Sequence, residues 1–240
     1  MRLNCTSLLL LPIFPAICLA QAPVPDASTL RLGADTLAVY AIRGSDTTLT
    51  GLIVDELTLH SEPGRQLLVR TYRTHDRLLG AGTDTLVDEF PSLTPVRHRS
   101  WRDRGGEQLD FSEGRVRGVL YLANGDSVVV DHPVPSAVIN SSSFDLALRA
   151  SALAPGWQAT FPAFLSNSRS VTTLSARVAG LEEIAGAACW RVETEFAGLP
   201  VTFWIDRESR RLCQQVMVLQ PDLRILFAAP RASRGTKRAT

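Results

Sequence analysis

The sequence of 240 residues has nearly balanced charges, few cysteines and no long apolar run. Lysine and arginine together number 25 against 24 acidic residues, which gives a formal net charge of +1. Proteins that bind nucleic acid through its phosphates carry a clear basic excess, so this balance excludes that class of partner. We expect the one local basic excess, in the tail 229–240, to be a disordered, solvated end.

The main apolar run, Leu8–Ala20, is too short for a membrane-spanning helix and is interrupted by Pro12 and Pro15. Such a helix needs roughly 20 consecutive apolar residues, and each proline removes a helical hydrogen bond. The run is typical of a secretory signal peptide over residues 1–20, with cleavage after Ala20. We therefore expect an exported chain, periplasmic or extracellular, that does not span a membrane.

Cleavage there leaves two cysteines, Cys189 and Cys213, and exported pairs commonly form disulfides. The strands predicted around them, 188–196, 200–206 and 212–219, argue against a bond. They place the cysteines two strands apart and out of step, on the order of 15 Å from each other. A disulfide needs roughly 4.4–6.8 Å between Cα atoms, so we expect both thiols to be unpaired.

The same three strands share one apolar face when Phe196 is aligned with Val201 and Asp206 with Arg211. That face comprises Trp190, Val192, Phe196, Val201, Phe203, Ile205, Leu212, Val216 and Val218. It is either an ordinary core or the lining of a groove for an acyl chain or an apolar peptide. The candidate ligand-binding residues are Trp190, Val201, Phe203 and Leu212.

The rest of the chain repeats short β-branched and apolar runs separated by turn signals, which predicts consecutive antiparallel strands. We expect a flexible lead-in at 21–34 and a single β domain at 35–228. One short helix is predicted after Ser142 and Ser143, which are good N-caps. The predicted fold is mostly β, an antiparallel and strongly curved sheet with one short helix.

Motifs for chemistry are lacking. The four histidines, at positions 60, 75, 98 and 132, have no metal-ligand spacing, and we expect them to face solvent. No Gly-x-Ser-x-Gly nucleophile motif occurs. The densest basic run, 97–104, is interpreted as a solvated sheet edge. No catalytic residue, metal ligand or cofactor is therefore assigned.

Three segments carry a family resemblance: the helix with Pro155-Gly156 after it, Cys189-Trp190-Arg191-Val192-Glu193, and Thr202-Phe203-Trp204-Ile205-Asp206. In these motifs the chain resembles an exported bacterial family of the domain-of-unknown-function 3108 type. The resemblance implies an incomplete β barrel with a helix near its mouth, similar to the periplasmic carriers and receptors of lipoproteins. It brings no catalytic residues.

The resemblance and the apolar face together favour a non-catalytic protein of the cell envelope that binds a hydrophobic ligand or a lipidated partner in a half-barrel groove. Two alternatives stay open. One is a structural or interaction protein whose own side chains fill the groove, and the other is an uncharacterised hydrolase. Lipid that co-purifies with the mature chain would favour the first interpretation.

Overall fold

The computed structural model describes residues 24–103, 105–196 and 198–230, and these form fifteen strands and three short helical segments. The helical segments are a 3-10 helix at Ala27–Thr29, a second at Ser141–Ser143, and the α-helix α1 (Phe144–Arg149). The strands are β1 (Gly33–Arg43), β2 (Asp46–Glu62), β3 (Arg65–Asp76), β4 (Gly80–Phe90), β5 (Pro95–Arg102), β6 (Gly105–Ser112), β7 (Arg115–Tyr121), β8 (Ser127–Pro133), β9 (Ile139–Asn140), β10 (Gln158–Leu165), β11 (Ser170–Ile184), β12 (Ala187–Phe196), β13 (Leu199–Asp206), β14 (Leu212–Gln220) and β15 (Leu223–Ala228).

All fifteen strands belong to one sheet, in the order β8-β7-β6-β5-β4-β3-β2-β1-β15-β14-β13-β12-β11-β10-β9. Two antiparallel meanders, β1 to β8 and β10 to β15, are joined where β1 pairs with β15. The short strand β9 runs parallel to β10, and every other pairing is antiparallel. Neighbours in sequence are thus neighbours in space, as short connections demand.

The sheet curves around α1 without closing into a ring, since β8 and β9 stand at opposite ends of the strand order. One core cluster joins Leu57 and Leu68 of the first meander to Phe161 and Phe203 of the second, with Phe144 of α1 among them. Residues so far apart in the strand order can share a core only if the sheet is strongly curved. We call the side of the sheet that faces α1 the concave face. The predicted fold, a mostly β, curved, incomplete barrel with one short helix, is confirmed.

The two ends of the sheet overlap. Ala163 and Leu165 of β10 belong to the main core, whereas Phe164 between them points to the other side of the sheet. There it packs edge-to-face on Phe111 of β6, with ring centroids 6.0 Å apart. Valines of β7 and β8, Val116 and Val130 among them, complete this second core. The last strands of the first meander therefore cover the outer face of β10.

Of the segment expected to be a flexible lead-in, 21–34, the described residues 24–34 are partly packed. Asp26 caps the first 3-10 helix by accepting a hydrogen bond from the Ser28 amide, and Ala27 and Leu30 are buried in the main core. The Ala27 amide also donates to Pro91. Apolar burial and these hydrogen bonds hold the segment against the sheet, and β1 begins at Gly33. The predicted signal peptide at 1–20 and all but two residues of the tail at 229–240 lie outside the described residues.

Helix α1 is held inside the curve of the sheet, with five of its six residues buried. Ser143 occupies the expected N-cap position of α1, but its side chain makes no capping hydrogen bond, and Ser142 lies one residue before it. Instead Asn140 accepts the hydrogen bond from the Ser142 amide, and the 3-10 turn at Ser141–Ser143 leads directly into α1. The Ser143 hydroxyl instead donates a hydrogen bond to Asp88 on β4, 3.0 Å away.

The β12–β13–β14 register differs from the expected one. Phe196 lies opposite Leu199 because a two-residue hairpin, with Gly198 at a φ of 82°, joins β12 to β13. This shift by two residues keeps the same faces together. On β14, Gln214 pairs with Trp204 and Leu212 pairs with Ile205, so Cys213 between them forms a bulge. Val216 and Val218 are consequently turned to the convex face, and Met217 takes the concave position opposite Val201.

The prediction that Cys189 and Cys213 are unpaired is wrong, because the structure joins them in a disulfide. Their Cα atoms are 7.1 Å apart, just beyond the usual range of about 4.4–6.8 Å and far below the expected separation. The shorter hairpin places Cys189 opposite Asp206. The bulge brings Cys213 beside that pair and turns it to the convex face. Two local irregularities, neither of them visible in the alternation of apolar residues, removed most of the expected separation.

No helix within the described residues is long and apolar enough to cross a membrane.

Candidate functional site

The apolar wall of the concave face comes from β12, β13 and β14, and we define it as Phe196, Val201, Phe203 and Met217. With Phe144 and Asp145 of α1 and Ser141, Ser142 and Gln215, these side chains line a partly open cavity of about 170 Å³. The rings of Phe203 and Phe144 pack edge-to-face with centroids 6.3 Å apart. This cavity lies where the sequence placed an apolar face.

The four predicted ligand-binding residues all lie on the concave face but not around one cavity. Val201 and Phe203 line the apolar cavity while being 2% and 5% exposed, so they also belong to the core. Leu212 lines a second, neighbouring cavity. Trp190 is a core residue, 9% exposed, in the main cluster. Phe196 and Met217, which are less deeply buried, complete the apolar cavity.

The polar wall of the concave face comes from β2, β3, β4 and β5, and we define it as Asp55, Arg70, Tyr72, Asp84 and Arg102. Its centre is the buried guanidinium of Arg70. That group donates to both carboxylate oxygens of Asp55, at 2.7 and 2.8 Å, and to both of Asp145 on α1, at 2.7 and 2.9 Å. Burial alone would raise the pKa of Asp55, but the charge and hydrogen bonds of Arg70 bring it below its usual value.

A second buried charged cluster lies one strand further along. His98 of β5 has its Nδ1 2.5 Å from Glu107 of β6 and its Nε2 3.8 Å from Asp84 of β4. Burial opposes protonation of this imidazole, but the two carboxylates dominate and raise its pKa to about 9. Arg102 completes the cluster by donating to Asp84. The cations and carboxylates of the cluster are therefore paired.

Asp88 is a buried acid that has no cationic partner at contact distance among the described residues. It is 2% exposed, and burial raises its pKa to about 7 although the Ser143 hydroxyl donates to it. Because Ser143 immediately precedes α1, this hydrogen bond ties the start of the helix to β4. A carboxyl that can be neutral at neutral pH suits such a site, since a buried unpaired charge is costly.

The two walls meet in one trough beside α1. The polar cavity, of about 200 Å³, is lined by Arg70, Tyr72, Asp84, Leu86, Arg102, Ser142, Asp145, Leu212 and Gln215. Ser142, Asp145 and Gln215 also line the apolar cavity, so the two spaces adjoin. Trough here means this pair of cavities. One end offers aromatic and thioether surface, and the other offers hydrogen-bond donors and charge.

A larger and more open depression of about 470 Å³ lies over β10, β11 and β12. Its charged residues, Arg177 and Glu193, pair with each other at the surface. Small side chains such as Ala159 and Ala176 form much of its lining. It brings no convergent polar groups together, so the trough is the stronger candidate site.

The sequence analysis missed the polar wall and misplaced its strand β5. The basic run was expected at a sheet edge, but β5 is paired on both sides, with β4 and β6. His98 was expected to face solvent and is 2% exposed. A signal was available: Asp84, Leu86 and Asp88 alternate in phase, and β3 places Arg70 in phase with Leu68. A charge that shares a face with buried apolar residues is itself expected to be buried.

The described residues include one group of potential metal ligands, Cys189, Cys213 and Asp206, whose ligand atoms lie within 4.8 Å of one another. The two sulfurs are bonded to each other in the disulfide. Metal coordination by cysteine requires the thiolate. In this oxidised state the group does not offer a metal site.

Fold and site together define an open, curved antiparallel sheet wrapped around a helix and an amphipathic trough. The chain belongs to the family described as protein of unknown function (DUF3108), whose sequence model matches residues 55–219. No curated protein matches the chain significantly. Among solved structures, a β-barrel-like protein of domain of unknown function DUF1849 from Brucella abortus is similar at 12% identity, covering 83% of this chain and 95% of that one, with a TM-score of 0.49.

Proposed function

We propose that this protein is a non-catalytic, exported protein of the cell envelope that binds a hydrophobic ligand or a lipidated partner in the trough. The observation that carries the proposal is the apolar cavity beside α1, which adjoins a polar one. Binding sites for small ligands combine an apolar lining with a few placed polar groups, and the trough has both.

Export is part of this proposal. Its supports are the apolar run at 8–20, with cleavage after Ala20, and the Cys189–Cys213 disulfide. Disulfides persist in oxidising compartments and are rare in the cytosol, so the bond favours the periplasm or the extracellular space. Amino-terminal sequencing of the chain recovered after export tests this, and a first residue other than Gln21 would contradict the cleavage site.

Ligand binding is tested by narrowing the trough. Met217→Trp places a larger side chain into the apolar cavity, whereas Val216→Trp places the same tryptophan side chain on the convex face of the same strand. We expect the first variant to weaken binding of a fluorescent apolar probe at least tenfold and the second to leave it within twofold. Equal binding by both variants, with both folded by circular dichroism, would contradict the proposal.

A second candidate is a structural or interaction protein with a self-filled core. The low exposure of Trp190, Val201 and Phe203 favours it, because such side chains serve stability whether or not a ligand exists. Native mass spectrometry of the mature chain separates the two candidates. Co-purified lipid supports the ligand-binding protein. A chain that carries no lipid and does not bind an added apolar probe supports the structural protein with a self-filled core.

A further inference from the structure

Arg102 is the cation of the trough whose hydrogen-bonding capacity is not used up. Among the described residues, its recorded bond is one from Nη2 to Asp84, and the other guanidinium N–H groups have no acceptor. The side chain is 38% exposed and lines the polar cavity. A guanidinium has five N–H donors in a planar fork, so four of the five donors of Arg102 have no acceptor among the described residues.

Arg70, the other cation of the polar wall, is in the opposite condition. Its Nε and both of its terminal nitrogens are engaged by Asp55, Asp145 and the Ser142 carbonyl. It has no donor left for a ligand. It does show that one guanidinium of this wall can bridge two carboxylates, because it does so between β2 and α1.

The backbone opposite Arg102 is shaped for its side chain. Gly82 is its cross-strand partner on β4. A Cβ at residue 82 would lie 2.7 Å from Arg102 Cγ and 2.8 Å from the Trp101 carbonyl oxygen. The absence of a side chain at Gly82 therefore lets the stem of Arg102 lie flat against β4.

The remaining uncharged polar groups of this cavity can each both donate and accept hydrogen bonds. Tyr72, Gln215 and the Ser142 hydroxyl line it, and no side-chain hydrogen bond is recorded for any of them within the described ranges. The two carboxylates of the lining are already occupied: Asp145 by Arg70, and Asp84 by Arg102 and His98. The carboxylates of the cavity are thus already paired with cations, whereas Arg102 keeps charged donors without a partner, which suits an anionic group that accepts hydrogen bonds.

We propose that the trough takes an unbranched acyl chain ending in a carboxylate, with the carboxylate on the free edge of the Arg102 guanidinium and the chain against Phe203. This inference rests on the proposed function and adds the chemical class of the ligand. Arg102 then bridges Asp84 and the ligand as Arg70 bridges its two aspartates. Guanidinium and carboxylate match in a planar, two-bond geometry, which an alcohol or an ester cannot reproduce.

The test compares decanoate with 1-decanol, which share chain length and differ in the head group, by calorimetric titration of the mature chain. We expect decanoate to bind at least tenfold more tightly than decanol. In Arg102→Gln the two ligands should bind alike, because decanoate loses its charged partner. Arg97→Gln is the matched control, on the same strand but exposed and paired with Asp110, and it should keep the preference.

Each outcome assigns a cause. Equal binding of both ligands to the unaltered chain overturns the head-group inference and leaves the proposed function standing. Binding of neither ligand overturns both. Should Arg102→Gln fail to fold, the unaltered chain still decides, through decanoate against its methyl ester. The ester should bind as weakly as decanol, and an ester that binds as tightly as decanoate would overturn the inference.

Discussion

The polar wall and the apolar wall are built on the same curved sheet and buried against the same helix, yet they are stabilised differently. The apolar wall, with Phe203 at its centre, needs only shape and volume, because the hydrophobic effect is not directional. The polar wall needs every charge matched, because an unpaired buried charge costs far more than a lost apolar contact. Equivalent truncations in the two walls should therefore have unequal effects.

The largest effect is expected for Arg70→Met, which removes the partner of both Asp55 and Asp145. Loss of one member of a buried pair costs roughly 3–5 kcal/mol, and two carboxylates place this variant at the upper end. Urea unfolding measures it. Arg65 lies on the same strand as Arg70 and forms an exposed pair with Glu62. The variant Arg65→Met breaks this pair and should cost less than about 1 kcal/mol of stability. Similar losses in the two variants would show that the polar wall is not energetically special.

The next effect concerns pH and Asp88. Its pKa is about 7 in the folded protein against 3.8 for the ordinary group. The folded state therefore holds more protons between these values, so stability falls as pH rises from 4 to 7. Asp88→Asn keeps an acceptor for Ser143 without the charge and should stabilise the protein at pH 8 by up to about 4 kcal/mol, at 1.36 kcal/mol per pKa unit.

This prediction is measured as the difference in unfolding free energy between Asp88→Asn and the parent at pH 4 and pH 8. The difference should be small at pH 4 and large at pH 8. Asp110→Asn, an exposed carboxylate on β6, serves as control and should stay within about 0.5 kcal/mol of the parent. A stabilisation of equal size at both pH values would mean that the charge of Asp88 is not the cause.

The apolar wall has a covalent support that the polar wall lacks in the described part of the chain. The disulfide behind β12 and β14 closes a loop with a sequence separation of 24 residues, for which chain entropy gives about 3.5 kcal/mol. The double variant Cys189→Ala/Cys213→Ala should lose that much in urea unfolding. Peptide mapping without reductant checks the bond directly, and two free thiols would contradict the register of β12 to β14.

The smallest effect on stability is expected for Phe196→Ala. Truncation of a core phenylalanine such as Phe203 to alanine lowers the free energy of unfolding by roughly 3–5 kcal/mol. Phe196 is only partly buried and should cost about half of that, while its loss enlarges the apolar cavity. The Phe196→Ala variant should also bind decanoate more weakly than the parent does. A stability loss as large as that of Phe203→Ala, with binding unchanged, would make Phe196 purely structural.

Local patterns in the sequence predicted the strands, the helix near residue 144 and the apolar face, because alternation and helical periodicity are local properties. The β12–β14 register was not predictable from alternation, since a shift of two residues preserves it and the bulge at Cys213 is a local exception. The pairing of β1 with β15 depends on residues far apart in the chain. The polar wall could have been found from the phase of Asp84, Leu86 and Asp88, but which cation each acid meets is set by the curvature of the sheet.

The central claim, that the trough receives an acyl chain against the apolar wall, has a reporter in the sequence. The chain has two methionines, Met1 and Met217, so removal of the predicted signal peptide leaves Met217 alone. Met217 is one of the residues that line the apolar cavity. In the mature chain labelled with [methyl-13C]methionine, we predict that this signal moves saturably as decanoate is added. A methyl signal that stays fixed up to millimolar decanoate would contradict the claim.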